Sequence, residues 1–527
     1  MFTESSRSLQ LEIGNGRAKM ASRGAATHFR RVGGIVALLL SILIWVSCGD
    51  TFRPVAIPQP PVPPDPESTH FAFMVSTNGA NNSGGVTQID VSGDSNLGTA
   101  PVGLGPSHVA LLINGSRVVV ANSLEDTLTS FQAASSTLPI GATTTISLPA
   151  GSAPAFVAST ENTFAYVANS GNGTVSAIST GTNVVTNTIP VGTNPVALAE
   201  TPDGQKLYAA NQGSDNVTSI SAVAKAAVNT IATGTAPVWV VARSDSQRVY
   251  VLNQGSGTVT VIDAFTDAVL GNTSVGAGAN FMAYDSHLNR LYVTNPAANT
   301  VSIIDASADQ NNLLATLPVA GQPLSVAALP DGTKAYVGSI AVNGSTATLQ
   351  VTVVDTSNNS VRTVVPVATV ALDTNDPTGC DTARFRLSVA NGSTSRVYVA
   401  SCDAGGAYVI RTTDDTLVTD ANGVPLVIRA PVSAFPPATL QITAAAQSGS
   451  RTTYSYNLLS GPAPRAGLIV VVTGMGDAGN DGNFAVVSTG AGSFTVVNAS
   501  GKTASGQDAS GVVQPPPQNP VFLLAGP

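Results

Sequence analysis

The stretch from Tyr166 to Asn211, YVANSGNGTVSAISTGTNVVTNTIPVGTNPVALAETPDGQKLYAAN, sets a pattern that the rest of the chain repeats. Its first motif returns in related form at Tyr208–Asn211, Tyr250–Asn253 and Tyr292–Asn295, each time 42 residues further on. Each repeat holds four short runs rich in Val, Ile and Thr, separated by Gly, Asn, Asp and Pro, which is typical of short antiparallel strands. A period of about 40–45 residues with four strands predicts the blade of a β-propeller.

The number of repeats predicts the number of blades. Counted from the residue at the Tyr position, the second strand of the repeat recurs at Phe73, Val119, Tyr166, Tyr208, Tyr250, Tyr292, Tyr336 and Tyr398. This count favours eight blades and leaves seven open. Pro-Asp-Gly at 202–204 and 330–332 supplies the residues that a tight hairpin turn needs. We therefore expect an all-β protein with a β-propeller of four-stranded blades over residues 70–436.

Composition agrees with an all-β chain and excludes one class of partner. Only 10% of the residues are charged, whereas 50 are Gly and 33 are Pro, which suits strands and turns better than long surface helices. The formal net charge is -8. Residues 1–47 carry six Lys and Arg against two Asp and Glu, so the remainder is more acidic still. An acidic surface argues against a nucleic-acid partner.

The N-terminal segment is expected to be a targeting leader, residues 1–47. A basic stretch, His28-Phe-Arg-Arg31, precedes the apolar run Gly33–Val46, and Cys48 follows a small residue. This arrangement resembles a bacterial lipoprotein signal peptide, which implies cleavage before Cys48, acylation of that residue and membrane attachment by lipid alone. The alternative is an uncleaved anchor, but the run is shorter than the about 20 residues that a span needs. The Pro-rich segment 48–69 is expected to be an extended tether, which would place the protein in the cell envelope.

The repeats have a recognisable relative. The segments YVANSGNGTVSAIS, YVLNQGSGTVTVID and YVTNPAANTVSIID resemble the YVTN family of exported β-propeller repeats, and the likeness runs from about residue 71 to 429. The resemblance implies a propeller fold and secretion, and it implies no activity.

The C-terminal end holds two further predictions. Asn519–Pro527, NPVFLLAGP, parallels Asn194–Pro202, NPVALAETP, so we expect residues 515–527 to supply the closing strand of the first blade, with a chance match as the alternative. Residues 437–514 are expected to form a small inserted β domain. Its strand-like runs are Leu440–Ala445, Thr452–Leu458, Leu468–Thr473, Phe484–Ser488 and Ser493–Asn498.

The remaining cysteines and polar loops offer little chemistry. If Cys48 carries lipid, Cys380 and Cys402 are left as a disulfide pair in an oxidising compartment, with two free thiols as the alternative. The loop Gly476–Asn483 has two carboxylates and is expected to be a turn in preference to a calcium site. The histidines are scattered, and no Gly-rich loop joins a strand to a helix. We therefore expect no metal and no cofactor, and we assign no catalytic residue.

One ordered pattern of candidate site residues remains, on the first strand of the repeat. The position two residues after the Pro is held by His108, Phe156, Ala197, Trp239, Phe281, Ser325, Phe385 and Phe522. The favoured interpretation is that these rings pack between neighbouring blades. The alternative is a binding floor at the mouth of the central channel, formed by His108, Phe156, Trp239, Phe281 and Phe385. The asparagines Asn122, Asn169, Asn211, Asn253 and Asn295 are expected to bind turn backbone.

Two classes of function follow. The favoured one is a non-catalytic binding or scaffold module of the cell envelope, on the periplasmic side or the cell surface, whose partner is an envelope protein or glycan. The alternative is a lactonase-like propeller hydrolase or isomerase that acts on a lactone or glycan. The sequence does not indicate an oligomeric state.

Overall fold

The computed structural model describes residues 71–78, 83–112, 115–135, 138–159, 163–307, 311–344, 346–371, 380, 386–420, 423–429, 438–461, 463–464, 469–513 and 519–525. These residues form β-strands throughout, together with one short 3₁₀-helix, Ala478–Asn480. None of their helices is long and apolar enough to cross a membrane. The leader, Cys48 and the tether lie outside the described residues.

The strands of the first half of the propeller follow one another with short connections. In chain order they are β1 Phe71–Thr77, β2 Ser83–Asp90, β3 Ser95–Leu104, β4 Pro106–Leu111, β5 Arg117–Asn122, β6 Thr127–Gln132, β7 Thr144–Ser147, β8 Pro154–Ala158, β9 Phe164–Asn169, β10 Thr174–Ser179, β11 Val184–Pro190, β12 Pro195–Glu200, β13 Lys206–Asn211, β14 Asn216–Ser221 and β15 Ala226–Ala232.

The second half continues the same order, and the last strands lie beyond it. They are β16 Pro237–Ala242, β17 Arg248–Asn253, β18 Thr258–Asp263, β19 Val269–Ser274, β20 Phe281–Asp285, β21 Arg290–Asn295, β22 Thr300–Asp305, β23 Leu313–Pro318, β24 Gln322–Ala328, β25 Lys334–Asn343, β26 Thr346–Asp355, β27 Ser360–Ala371, β28 Leu387–Asn391, β29 Arg396–Ser401, β30 Gly406–Arg411, β31 Thr416–Leu417, β32 Val427–Ile428, β33 Ala438–Ser448, β34 Arg451–Ser460, β35 Ile469–Thr473, β36 Gly482–Gly490, β37 Ser493–Val497, β38 Ala504–Val513 and β39 Asn519–Ala525.

Eight antiparallel sheets form the blades, which confirms the predicted propeller and selects eight blades over seven. Blade 4, for example, has the order β12-β13-β14-β15, and we call the four strands of each blade a to d in that order. In blade 8, β32 pairs with β30 in addition to β28-β29-β30-β31. The a–b turn of blade 4 follows from its Pro-Asp-Gly sequence, because Gly204 has a φ of 65° and donates its N–H to Thr201 O at 2.8 Å.

The ring is closed by the C-terminal strand. Strand β39 pairs antiparallel with β1, with Val75 opposite Phe522, and gives blade 1 the sheet order β3-β2-β1-β39. Each strand a contacts strand a of the two neighbouring blades, including β39 with β4 and with β28. The eight a strands therefore form a continuous inner ring without an open sheet edge.

The inserted segment forms a closed six-stranded barrel in the order β33-β34-β37-β36-β35-β38. Its core contains Tyr454 and Phe494, whose ring centroids lie 5.2 Å apart. The predicted small β domain is confirmed, and it has one more strand, β38, than the sequence indicated.

Contacts between blades depend on the tyrosine of strand b. This side chain is fully buried in six blades, and in three of them its hydroxyl reaches a backbone carbonyl of the next blade. The hydroxyl of Tyr166 donates to Ala222 O at 3.2 Å. The hydroxyls of Tyr208 and Tyr250 donate in the same way to Ala264 O and Ala306 O, both at 3.0 Å. Each acceptor is the residue that follows strand c of the neighbouring blade, so one hydrogen bond repeats from interface to interface.

Candidate functional site

The predicted register on strand a is present, and we call it the inner row. Each member lies on strand a, opposite the strand-b residue that comes two positions after the Tyr position of the same blade. From blade 1 to blade 8 they are Phe522, His108, Phe156, Ala197, Trp239, Phe281, Ser325 and Ser388.

The last member corrects the sequence prediction. Ser388 lies opposite Ala400, two residues after Tyr398, so it holds the position that was assigned to Phe385. Phe385 itself lies outside the described residues. Arg386 stands two positions before Ser388, where most blades have the Pro that marks this register, and without that mark the alignment by sequence was wrong by three residues.

The rings of the inner row pack against one another across blade interfaces. His108 stacks on Phe156 with centroids 3.7 Å apart, and it also lies 4.3 Å from Phe522. Phe156 meets Trp239 edge to face at 5.4 Å, and Trp239 lies 4.6 Å from Phe281. All five side chains are buried, so these rings form one continuous arc through blades 1 to 6. These contacts are those of packed rings, but Phe156 and Trp239 belong to blades 3 and 5, so the arc passes Ala197 of blade 4 and is not confined to neighbouring blades as expected.

The polar members of the row bind backbone. Val157 N–H donates to His108 Nδ1 at 3.4 Å, and Val389 N–H donates to Ser325 Oγ at 3.1 Å. Leu523 N–H donates to Ser388 Oγ at 3.2 Å. In each case a side chain of one strand a accepts from strand a of the next blade, and this fixes the register between blades.

The asparagine ladder ties strand b to strand c. Asn122, for example, donates from Nδ2 to the hydroxyls of Thr127 and Thr129, both at 3.0 Å. Asn169, Asn211 and Asn253 make the corresponding contacts. Asn253 also donates to Val251 O and Thr258 O, and Asn295 donates to backbone carbonyls of the preceding loop. The ladder is structural, but its partners are chiefly strand-c side chains and not the turn backbone that was expected.

Buried charges lie at a second set of blade contacts, which we call inter-blade clamps. In each clamp the first residue of strand b binds the c–d turn of the next blade. Three clamps are ion pairs: Lys206 with Asp267 at 2.9 Å, Lys334 with Asp415 at 2.8 Å and Arg396 with Asp94 at 2.9 Å. The tyrosine hydroxyl of the same strand b also donates to each carboxylate. These carboxylates are therefore used in holding blades together.

Two further clamps have an amide in place of the carboxylate. Arg117 Nη1 donates to Asn183 Oδ1 at 2.9 Å, and Arg290 Nη1 donates to Asn359 Oδ1 at 2.9 Å. Between blades 3 and 4 the polarity is reversed, because Lys225 Nζ lies 3.8 Å from the ring centroid of Phe164.

A cleft of about 370 Å³ opens between blades 2 and 3 on the face that carries the clamps. Its lining includes Arg117, Phe164, Ser179 and Thr180. Blade 2 has Val119 at the position where six of the eight blades have tyrosine and blade 1 has Phe73. The cleft could not be predicted from one repeat, because residues of two blades line it.

Asp285 is a buried carboxyl group that lies outside the clamps. Asp285 Oδ1 accepts from the N–H groups of His287 and Leu288, while Oδ2 has no partner among the described residues. Burial raises the pKa of Asp285 in spite of these hydrogen bonds. Burial, which has the larger effect, and the nearby charge of Asp285 together raise the pKa of Tyr292 to about 12. Asp285 is only 4% exposed, so neither group is presented to a substrate.

The remaining predicted sites can be placed as follows. In the loop Gly476–Asn483, Asp477 binds Lys502 at 2.7 Å and Asp481 accepts from Met475 N–H, so both carboxylates serve the turn. Across the described residues, no three His, Cys, Asp or Glu side chains are grouped so that they could hold a metal ion. Cys380 and Cys402 are joined by a disulfide, with Cα atoms 5.6 Å apart.

The fold and these contacts define an eight-bladed β-propeller with an inserted β-barrel. A family described as "Lactonase, 7-bladed beta-propeller" matches residues 93–227, which extend from blade 1 to blade 4. The match covers about a quarter of the chain, and the family is described with one blade fewer than this protein has. No curated protein sequence matches the chain.

Solved structures of the same general kind are distant. Hydrazine synthase of Kuenenia stuttgartiensis is 22% identical with a TM-score of 0.44, over 58% of this chain and 96% of that one. A candidate 6-phosphogluconolactonase of Bacteroides uniformis is 14% identical with a TM-score of 0.47, over 58% and 97%. A second, of Bacteroides fragilis, is 17% identical with a TM-score of 0.46, over 59% and 97%. Similarity at this level does not transfer a substrate.

Proposed function

We propose that this protein is a non-catalytic β-propeller of the cell envelope that binds a protein or glycan partner. The observation that carries the proposal is the inner row, whose single titratable side chain, His108, is stacked between Phe156 and Phe522 and accepts from Val157 N–H. Side chains that hold neighbouring strands together are packing elements and leave little room for a reacting group.

The charged residues support the same proposal. The buried carboxylates Asp94, Asp267 and Asp415 each pair with a cation and a tyrosine across a blade interface. A general acid or base must reach a substrate, whereas these groups are satisfied inside the fold. They therefore stabilise the ring and are poor candidates for catalysis.

Envelope localisation rests on the sequence. The leader before Cys48 has the features of a lipoprotein signal, and the Pro-rich tether suits a domain held away from a membrane surface. Lipid attachment is tested by mass spectrometry of the mature protein and by membrane fractionation of wild type and Cys48→Ser. An unmodified N-terminus, or membrane association that survives in Cys48→Ser, contradicts the anchor.

Binding is tested by thermal unfolding of the mature protein with purified envelope glycans and peptides. A ligand that binds only the folded state raises the free energy of unfolding by RT ln(1 + [L]/Kd), and the unfolding temperature rises with it. We expect a saturable rise with at least one of them and no consumption of the ligand. Unchanged unfolding with the whole set contradicts the proposal.

The second candidate is a lactonase-like hydrolase, because the matched family at residues 93–227 is described as a lactonase. Under this alternative His108 is the side chain of the inner row that belongs to the residue type most often used in acid–base catalysis. A kinetic measurement on sugar lactones separates the two functions.

A further inference from the structure

The cleft between blades 2 and 3 lies at an interface where strand b has Val119 in place of tyrosine. The cross-strand neighbours of Val119 are Ala110 and Ser130. The neighbours of Tyr208 in blade 4 are of the same types, Ala199 and Ser219. The cross-strand surroundings therefore match, and the interface of blades 2 and 3 lacks the phenol that is present at the interface of blades 4 and 5.

The cleft borders the position that corresponds in the repeat to the end of the Tyr208 phenol. Its lining residues Thr180 and Arg117 correspond in the repeat to Ala264 and Lys206. At the interface of blades 4 and 5, Ala264 O accepts from the Tyr208 hydroxyl, and Lys206 pairs with the same Asp267 that this hydroxyl contacts. A ligand in the cleft would thus replace a side chain that the repeat normally supplies.

The cleft differs in charge from the interface between blades 4 and 5. The cation of the clamp between blades 4 and 5 meets the carboxylate of Asp267, but Arg117 meets the neutral amide of Asn183. Within the described part of the chain, only Nη1 of Arg117 has partners, Asn183 and, at 3.4 Å, Ser130. Its charge is therefore not neutralised, and its Nε and Nη2 can form a two-pronged contact with an anion.

The surroundings add positive charge and an aromatic ring. Phe164 lines the cleft, and Lys225 Nζ lies 3.8 Å from the centroid of its ring. The a–b and c–d connections of blades 2 and 3 contain one acidic residue, Glu161. Glu161 lies outside the described residues. Within the described residues, the charged groups at this cleft are thus the cations Arg117 and Lys225, in a protein with a net charge of -8.

We propose that this cleft binds an acidic sugar, with its carboxylate on Arg117 and an apolar face of its ring against Phe164. A volume of about 370 Å³ suits a ligand of one or two sugar residues, since small-molecule sites measure about 300–1,000 Å³. Arginine matches the planar geometry of a carboxylate, and an aromatic ring favours a ligand with C–H groups on one face. The inference rests on the proposed function in that the cleft binds its ligand without transforming it.

The test is calorimetric titration of the mature protein with glucuronate and short glucuronate-containing oligosaccharides. Glucose and inorganic phosphate are the comparison ligands, because glucose lacks the charge and phosphate lacks the apolar body. We expect saturable binding of the glucuronate ligands that weakens with salt, and at least tenfold weaker binding of glucose and of phosphate. Equal binding of phosphate, or no binding of any glucuronate ligand, overturns the assignment.

Three variants locate the site. Arg117→Gln is expected to weaken glucuronate binding at least tenfold, and Val119→Tyr is expected to abolish it by restoring the phenol while raising the unfolding temperature. Arg290→Gln is the matched control, since Arg290 also pairs with an asparagine on this face, but beside Tyr292. Unchanged binding in Arg117→Gln, or an equal loss in Arg290→Gln, overturns the assignment.

These outcomes are separate from those of the proposed function. Stabilisation by another envelope glycan without glucuronate binding overturns the cleft assignment alone, and turnover of a bound sugar overturns the proposed function.

Discussion

The imidazole ring of His108 in blade 2 stacks on the phenyl ring of Phe156 in blade 3, with centroids 3.7 Å apart. The same imidazole lies 4.3 Å from Phe522, which comes from the C-terminal strand of blade 1. Three blades are thus joined through one side chain. Because aromatic pairs contribute about 0.5–1.5 kcal/mol beyond the area they bury, this arc is a main source of cohesion in the inner ring.

The first prediction concerns the arc itself. Phe156→Ala should lower the free energy of unfolding by about 3–5 kcal/mol, because it leaves a cavity beside His108 and Trp239. Phe265→Ala is the control, since that ring is 71% exposed and its loss should change stability by about 0.5 kcal/mol or less. Urea unfolding followed by tryptophan fluorescence measures both. Similar losses in the two variants would show that the arc is not a packing element.

The second prediction concerns closure of the ring. Truncation after Val513 removes β39, exposes the edge of β1 and takes Phe522 out of the arc. The whole propeller should therefore melt earlier and less cooperatively, in place of fraying at one end. Truncation after Ala525 keeps β39 and should melt like the full chain. A shortened protein with an unchanged calorimetric transition would rule out closure by β39.

These elements also show how far the sequence alone could be read. The strand-b tyrosines and the Pro-Asp-Gly turns predicted the blades, because the repeat period and the turn residues can both be identified within a single repeat. Ser388 was missed because Arg386 stands where most blades have the marking Pro. Strand β38 was missed because ASGQDASGVV contains few of the β-branched and aromatic residues that signal a strand. The cleft depends on two blades meeting, and no single repeat contains that information.

The third prediction concerns the disulfide. Cys380 and Cys402 are 22 residues apart, and closing a loop of that length stabilises a fold by about 3 kcal/mol in the chain-entropy model. Reduction of the wild type should lower its unfolding midpoint accordingly. The double variant Cys380→Ser, Cys402→Ser should unfold at this lower midpoint with or without reductant. A wild type that is insensitive to a reductant that fully frees both thiols would contradict the stabilising role.

The fourth prediction concerns the pH dependence of stability. Burial raises the pKa of Asp285, so its contribution to stability is fully present below the pKa in the unfolded chain, about 3.9, and is lost as the pH rises through the folded pKa. Asp285→Asn should therefore unfold at a higher temperature than the wild type at pH 7. The difference should shrink as the pH falls through the folded pKa of Asp285.

Asp263 provides the control with the opposite sign. Burial alone would raise its pKa, but hydrogen bonds from Thr266 and the charge of Arg248 outweigh burial and lower it. Its contribution is present above the unfolded pKa and is lost as the pH falls through the folded pKa. Asp263→Asn should therefore be less stable than the wild type at pH 7, with a deficit that disappears in acid. Parallel pH profiles for the two variants would contradict the assignment.

The rate of lactone ring opening tests the central claim, that the inner row packs and the protein binds without catalysis. Mature wild type and His108→Gln are each mixed with sugar lactones, with and without a phosphate group, and loss of the lactone is followed at pH 7. The account predicts that both proteins leave the rate at its value in buffer. Saturable turnover by the wild type that is lost in a folded His108→Gln would contradict it and establish the hydrolase instead.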